Sequence, residues 1–231
     1  MATPIDPMPG LPILVGADFG LTPAAVFCQR TPSGRWLVLS ELVTDDCGIT
    51  RFGELLLAHK AAHYPNHDIG AALGDPSGNF RGQDEEAVLT ILEKVTGWGW
   101  RGAPSNDLDL RLEAVTLPLN RLVDGLPAML VSPTCATLRK GFTGGYHYKS
   151  VQSANGAYSK DAPNKNKYSH VHDAMQYVAL GGGEYEVALG KTRAERREGV
   201  HIADGVAVDP FGQEPRDSGI KYSNAKTMRD W

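Results

Sequence analysis

The sequence predicts an α/β fold on a mixed sheet, its first three strands antiparallel, later ones parallel, with helices on both faces. Three apolar or β-branched runs near the start are separated by turn residues, which makes an antiparallel meander. An amphipathic helical stretch follows and leads into a nearly all-apolar run of strand length, the pattern of a strand buried on both faces. Strand, helix, strand implies a right-handed crossover that lays this fourth strand parallel to an earlier one.

Residues 1–12 hold four prolines, which cannot donate to a ladder or continue a helix, so this segment reads as an extended lead-in. The core begins at Ile13. Strands are predicted over Ile13–Asp18, Ala24–Arg30 and Trp36–Val43, with turns at Leu21-Thr22-Pro23 and Pro32-Ser33-Gly34. A helix over Ile49–His63 follows from Phe52, Leu55, Leu56 and Ala62, with Thr50 as its N-cap. Ile69–Asp75 is the buried strand. Helices are predicted over Asp84–Thr96 and Leu108–Val123, the second bent by Pro118. Ala128–Val131 reads as a short strand, Cys135–Phe142 as a short helix, and Val171–Leu180 as a helix stopped by three glycines. Between these last two lies a Gly, Asn, Lys and Tyr-rich loop from Gly144 to Ser169. Trp98 and Trp100 mark a turn whose rings cap the core. Residues 191–231 are polar and aperiodic, a flexible tail or small appendage beyond a domain spanning 13–190.

The 231 residues carry a net charge of −4, so no global basic field advertises a passive nucleic-acid coat, although a local basic groove stays allowed. No apolar stretch approaches the roughly 18 residues of a membrane span. The first basic residue is Arg30, so the start lacks a secretory n-region, and a cytoplasmic protein is expected. Cys28, Cys47 and Cys135 are too few and too scattered for a disulfide framework or a zinc site, and are expected to be reduced packing thiols.

Asp18 ends the first strand and Asp75 the buried one. If these strands are parallel neighbours, both carboxylates emerge at the same carboxyl edge of the sheet, where open α/β sheets hold their ligands. Asp173, one turn into the last core helix, closes the cluster if that helix packs across this edge. Converging carboxylates repel, and hard oxygen donors suit Mg²⁺ or Mn²⁺. Two such ions can activate a water and stabilise the leaving oxygen in phosphodiester cleavage. Each acid also has a plainer reading: Asp18 and Asp75 as turn formers or helix caps, Asp173 as a first-turn acid facing the helix dipole.

Four segments carry a resemblance: Val15-Gly16-Ala17-Asp18-Phe19-Gly20, Gly74-Asp75-Pro76-Ser77-Gly78, Leu130-Val131-Ser132-Pro133 with Leu138-Arg139-Lys140-Gly141-Phe142, and Lys167 to Tyr177 (KYSHVHDAMQY). In this order they resemble the nuclease domain of the large terminase subunit of tailed bacteriophages, an RNase H-like fold. The resemblance implies that Asp18, Asp75 and Asp173 are catalytic, metal-binding acids. It further implies two Mg²⁺ or Mn²⁺ ions and endonucleolytic cutting of concatemeric viral DNA during genome packaging, in the cytoplasm of the infected host. Implied partners are double-stranded DNA, a portal, a small terminase subunit and an ATPase motor. No G-x-x-x-x-G-K-[ST] stretch is present, so the motor is expected to lie outside this chain, with the proline-rich start as a linker remnant.

Arg139, Lys140, Lys149, Lys160, Lys165 and Lys167 stand against Asp161 alone between 139 and 169, interleaved with Tyr146, Tyr148, Tyr158 and Tyr168. Such a segment can follow a phosphate backbone without reading bases, or be a solvated loop. His170 and His172 read as surface or capping residues, Glu41 as a strand-end residue and Glu54 as a solvated helix position. Two other functions fit parts of the sequence. An Asp-x-Gly turn after strand one also occurs in actin-like and sugar-kinase ATPases, although no second such hairpin exists here; a non-catalytic module binding DNA or a packaging partner is the other. The likeness of Ala17 to Leu21 to a protein-kinase DFG element is expected to be accidental, because that element needs a preceding lobe and catalytic loop and 17 residues stand before Asp18 in this sequence.

Overall fold

The computed structural model describes residues 3–20, 22–79, 87–150 and 158–190, with 202–203 and 206–207. The chain divides into two compact units, Met1–Gly190 and Lys191–Trp231. In the second, Ile202–Ala203 pairs antiparallel with Val206–Ala207; most of the predicted tail lies outside the described residues.

The first unit is built on a sheet whose strands are β1 (Ile13–Asp18), β2 (Ala24–Arg30), β3 (Trp36–Val43), β4 (Ile69–Gly74), β5 (Trp100–Gly102) and β8 (Met129–Val131). They lie in the order β5-β4-β1-β2-β3-β8. β1 to β3 form the expected antiparallel meander, while β4 joins β1, β5 joins β4 and β8 joins β3 in parallel. β1 is buried along its whole length, as a central strand with layers on both sides must be. Its alternation sorts the core. Ile13, Val15 and Ala17 face Phe52, Leu56, Leu89 and Leu92 of helices α1 (Ile49–His63) and α2 (Val88–Thr96). Leu14 faces the opposite layer, with Ala114 and Val115 of α3 (Leu108–Asn120), Leu138 of α4 (Ala136–Lys140) and the apolar positions of α5 (Ser169–Ala179).

Several elements differ from expectation for identifiable reasons. α1 is capped by Gly48 without a side-chain bond, not by Thr50, and Ala62 is exposed while Tyr64 just beyond the helix is buried. Residues 80–86, including the predicted start of α2, lie outside the described residues. α2 ends where Gly97, at φ 71, adopts the left-handed cap that glycine tolerates best. Trp100 begins β5 instead of a turn, although its ring does stack on Trp98 and bury in the core. α3 stops at Asn120, carrying Pro118 in its last turn, and a tight hairpin follows of β6 (Leu122–Val123) and β7 (Leu126–Pro127). The Gly144–Ser169 segment is not a bare loop: β9 (Tyr148–Ser150) pairs antiparallel with β10 (Tyr158–Pro163). A short helix, α6 (Tyr185–Ala188), closes the unit.

The proline-rich lead-in is strapped to the sheet. The Gln29 side chain, buried on β2, accepts from Met8 N–H (2.7 Å) and donates to the Met8 and Leu11 carbonyls (3.0 and 2.8 Å). Cys28 and Cys135 are buried free thiols, whereas Cys47 is only half-buried.

Candidate active site

The register of β1 and β4 sets up the site. Ala17 pairs with Gly74 in a parallel ladder, so Asp18 and Asp75 are the next residues on adjacent strands, whose spacing is about 4.8 Å. The motifs around them interlock through Phe19. A Cβ added at Gly74 would fall within the Phe19 ring, and one at Gly78 would lie 2.9 Å from Phe19 Cε2, so both glycines leave room for that ring. Gly16 does the same for α5: an added Cβ would run into the Ala174 carbonyl oxygen and stand 2.7 Å from Val178 Cβ. This close approach brings Asp173, the neighbour of Ala174, toward the end of β1.

Each acid has its own partners. Asp18, 6% exposed, contacts His170 Nδ1 of α5 through Oδ2 at 2.6 Å. Asp75 accepts the Ser77 N–H at 2.7 Å, capping its own turn, and lies 3.4 Å from Asn106 Nδ2. Asp173, 2% exposed, holds the Lys165 ammonium at 2.8 Å on Oδ2. On Oδ1 it has the Tyr146 hydroxyl at 3.5 Å and an Arg111 nitrogen at 3.6 Å. Burial pushes the Asp173 carboxyl above the usual range; Lys165 and Arg111 oppose the shift, and the charge of Asp18 adds to it. The Tyr177 phenol is likewise pushed up, first by burial and then by Asp75, Asp18 and Asp173 together, against Arg111. All three acids therefore act on one buried phenol. Arg111 donates to the Tyr177 hydroxyl and to Asn106 Oδ1, and Tyr177 donates to the same oxygen at 3.2 Å. A continuous polar chain thus runs from Asp75 to Asp173.

The two histidines are neither surface nor simple capping residues. His170 sits on Asp18, and His172 is buried, its Nε2 bonded to the Leu138 carbonyl at 3.0 Å and its ring stacked on Tyr146 at 4.7 Å. Desolvation lowers the His172 pKa to about 4, so the neutral ring donates to that carbonyl. Glu41 caps α4, accepting the Thr137 and Leu138 N–H groups at 2.7 and 2.8 Å, and Glu54 is exposed beside Arg51; neither joins the acids.

Among the basic candidates, Arg139 and Lys140 are exposed on α4 and line an open groove of ≈ 410 Å³ with Phe142 and Thr143. Lys167 is exposed, its ammonium 5.3 Å from the centre of the Tyr168 ring. Among the described candidates, Lys165 alone is drawn into the acid cluster. The side chains of Lys149 and Lys160 lie outside the described residues. Arg111, Gln176 and Tyr177 went unnoticed in the sequence, where a buried polar residue inside an apolar helical pattern carries no signal of its own; Asn106 lies just before α3, and Tyr146 was read only as an aromatic of the basic segment.

Compared as structure, the chain is similar to the large terminase of the thermophilic bacteriophage D6E, with TM-score 0.57 and 18% identity over 76% of this chain and 41% of that one. It is also similar to the P22 large terminase nuclease domain, with TM-score 0.55 and 15% identity over 77% of this chain and 84% of that domain. The chain has the fold of a large-terminase nuclease domain. The sheet is mixed, an antiparallel trio flanked by parallel strands, as expected. Compared as sequence, it matches no protein-family model and no curated protein. It spans about two fifths of the D6E protein.

Among the described residues, no three His, Cys, Asp or Glu side chains form a ready cage for a metal ion. The donor chemistry nevertheless fits one. Three carboxylate oxygens from one sheet edge and the adjoining helix suit a hard divalent cation, and the buried Asp173 needs positive charge beside it.

Proposed function

We propose that this chain is a divalent-metal-dependent, largely sequence-independent DNA endonuclease that cuts concatemeric viral DNA during genome packaging. The observation that carries this reading is the parallel pairing of β1 with β4, which sets Asp18 beside Asp75 at the strand ends, with α5 packed against β1 through Gly16.

Asp18 and Asp75 would hold Mg²⁺ or Mn²⁺ from the sheet edge and Asp173 from the helix. Such ions, when bound, supply an activated water and stabilise the leaving oxygen of a phosphodiester. The chain's own residues prepare that chemistry. His170 orients the Asp18 carboxylate, and Tyr146, itself held by Gln176 Nε2 at 3.0 Å, steadies Asp173. Arg139, Lys140 and Lys167 are exposed and would grip backbone phosphates, which favours affinity over base recognition; Lys149 and Lys160 belong to the same basic segment. An ATPase motor, a portal and a small terminase subunit would be its partners, in the host cytoplasm. No helix among the described residues is long and apolar enough to cross a membrane.

Incubation of plasmid DNA with the protein in Mn²⁺ or in EDTA, beside Asp18→Asn, Asp75→Asn and Asp173→Asn, tests the proposal. Cutting in Mn²⁺ alone, reduced at least a hundredfold by each substitution, is the expected outcome. Equal cutting in EDTA, or by the three variants, refutes it.

A further inference from the structure

Asp173 carries two cations, and they differ in how free they are to leave. Arg111 is 10% exposed and committed to Tyr177 and Asn106. Lys165 is 65% exposed, yet its ammonium reaches a carboxylate whose side chain is 3% exposed. Its neighbours hold the backbone in place. Asn164 N–H donates to the His147 carbonyl at 2.8 Å, Asn166 Nδ2 to the Gly145 carbonyl at 2.9 Å, and Tyr168 N–H to Asn166 Oδ1 at 2.9 Å. The contact is therefore built in by a fixed turn, not a chance meeting of surface charges.

A divalent ion entering this site needs an Asp173 oxygen, and Lys165 holds one. Building on the metal-site reading above, we propose that Lys165 competes with the divalent cation for Asp173, so that the ion binds by displacing its ammonium into solvent. Such a compact, strongly hydrated group on a flexible stem is suited to leave, whereas a buried guanidinium is not. Pairing also explains how a buried carboxylate persists without the ion: stripped of every cation, it would be an uncompensated charge.

The test is Mn²⁺ binding by the full chain, measured by calorimetry without DNA, for the native protein and for Lys165→Met, Lys165→Gln and Lys167→Met. Lys165 is exposed, so its variants are expected to fold, and circular dichroism checks this. Both Lys165 variants are expected to bind Mn²⁺ about tenfold more tightly, the factor matching one charge-assisted contact of about 1.4 kcal/mol. Lys167→Met removes the same charge from a side chain that leans on Tyr168 instead, and is expected to leave the affinity within about twofold. Unchanged or weaker binding in the Lys165 variants overturns the competition, as does equal tightening in Lys167→Met, which would mean a general charge effect. Asp18→Asn and Asp173→Asn separate the two levels. If Mn²⁺ binding ignores both, the metal reading falls and takes this proposal with it; if binding needs them but ignores Lys165, this proposal alone fails.

Discussion

Gly16→Ala tests whether the packing of α5 on β1 sets the site. The new methyl would meet the Ala174 carbonyl oxygen, a backbone atom that cannot rotate away, and would stand 2.7 Å from Val178 Cβ. Carbon atoms rest at roughly 3.5–4.0 Å, so α5 must retreat by about 1 Å. Overpacking of this kind costs about 1–3 kcal/mol, and the upper end applies because helix and strand must part. In a domain of this size 1 kcal/mol is worth about 2–4 °C, so a melting temperature about 6–12 °C lower is expected by calorimetry. The same retreat carries Asp173 away from Asp18, and a misplacement of about 1 Å can cost about a hundredfold in rate, read in the plasmid assay at a temperature where both proteins are folded. Gly99→Ala is the control, since its methyl meets nothing within 4 Å. A Gly16→Ala protein melting within about 2 °C of the native one and cutting as fast would refute the idea that this glycine sets the helix.

Glu184→Gln should lower stability by about 3 kcal/mol, seen as a lower urea midpoint with an unchanged slope. Its carboxylate is 0% exposed and takes Arg121 at 2.9 and 3.1 Å, Trp36 Nε1 at 2.9 Å and Arg30 at 3.5 Å, so neutralising it strands cations around the buried Trp36. A loss below about 0.5 kcal/mol would show that solvent already screens those arginines. For pH, the His172 pKa is lowered to about 4, below its unfolded value. The unfolded chain therefore binds the proton first, and the contribution of the neutral ring, complete above about pH 6.5, is lost as pH falls toward 4, at up to about 1.4 kcal/mol per unit. Asp173, raised in the fold, acts in the opposite sense. His172→Gln, which keeps a donor for the Leu138 carbonyl, should flatten this acid limb in urea titrations at pH 7, 6 and 5; an unchanged limb would assign it to other groups.

The sheet was legible because its strands obey local rules. β1, β2 and β3 begin and end at the predicted residues, since apolar runs bounded by Pro and Gly leave little choice of boundary. β5 was not legible: three residues that follow Gly99 and end on Gly102 look like a turn, and only pairing with β4 makes them a strand. The β6–β7 hairpin could have been read. Asp124-Gly125 joins the two strands with both residues at positive φ (51 and 74), as a two-residue turn of the primed type requires, and Asp-Gly is its sequence signature. At the site, strand ends pointed to Asp18 and Asp75, whereas the partners of Asp173 come from α3, from the turn after α4 and from the turn after β10. Nothing in a one-dimensional pattern links Arg111, Tyr146 and Lys165 to one carboxylate.

Those partners bear on how an acidic chain could handle a polyanion. Asp18, Asp75 and Asp173 do not form a bare negative hollow: they have, respectively, an imidazole, an N–H with an amide, and two cations. Compensation by groups of graded exposure sets the order in which they can yield. Of these partners the Lys165 side chain is 65% exposed, that of His170 23% and that of Arg111 10%. A cation arriving from solvent therefore meets the most replaceable partner first, while the enclosed guanidinium keeps Asp173, Tyr177 and Asn106 in register throughout. On the proposed metal-site reading, divalent-ion affinity at this edge depends less on the number of carboxylates than on the cost of moving one ammonium, a quantity that a single exposed side chain can tune without touching the core.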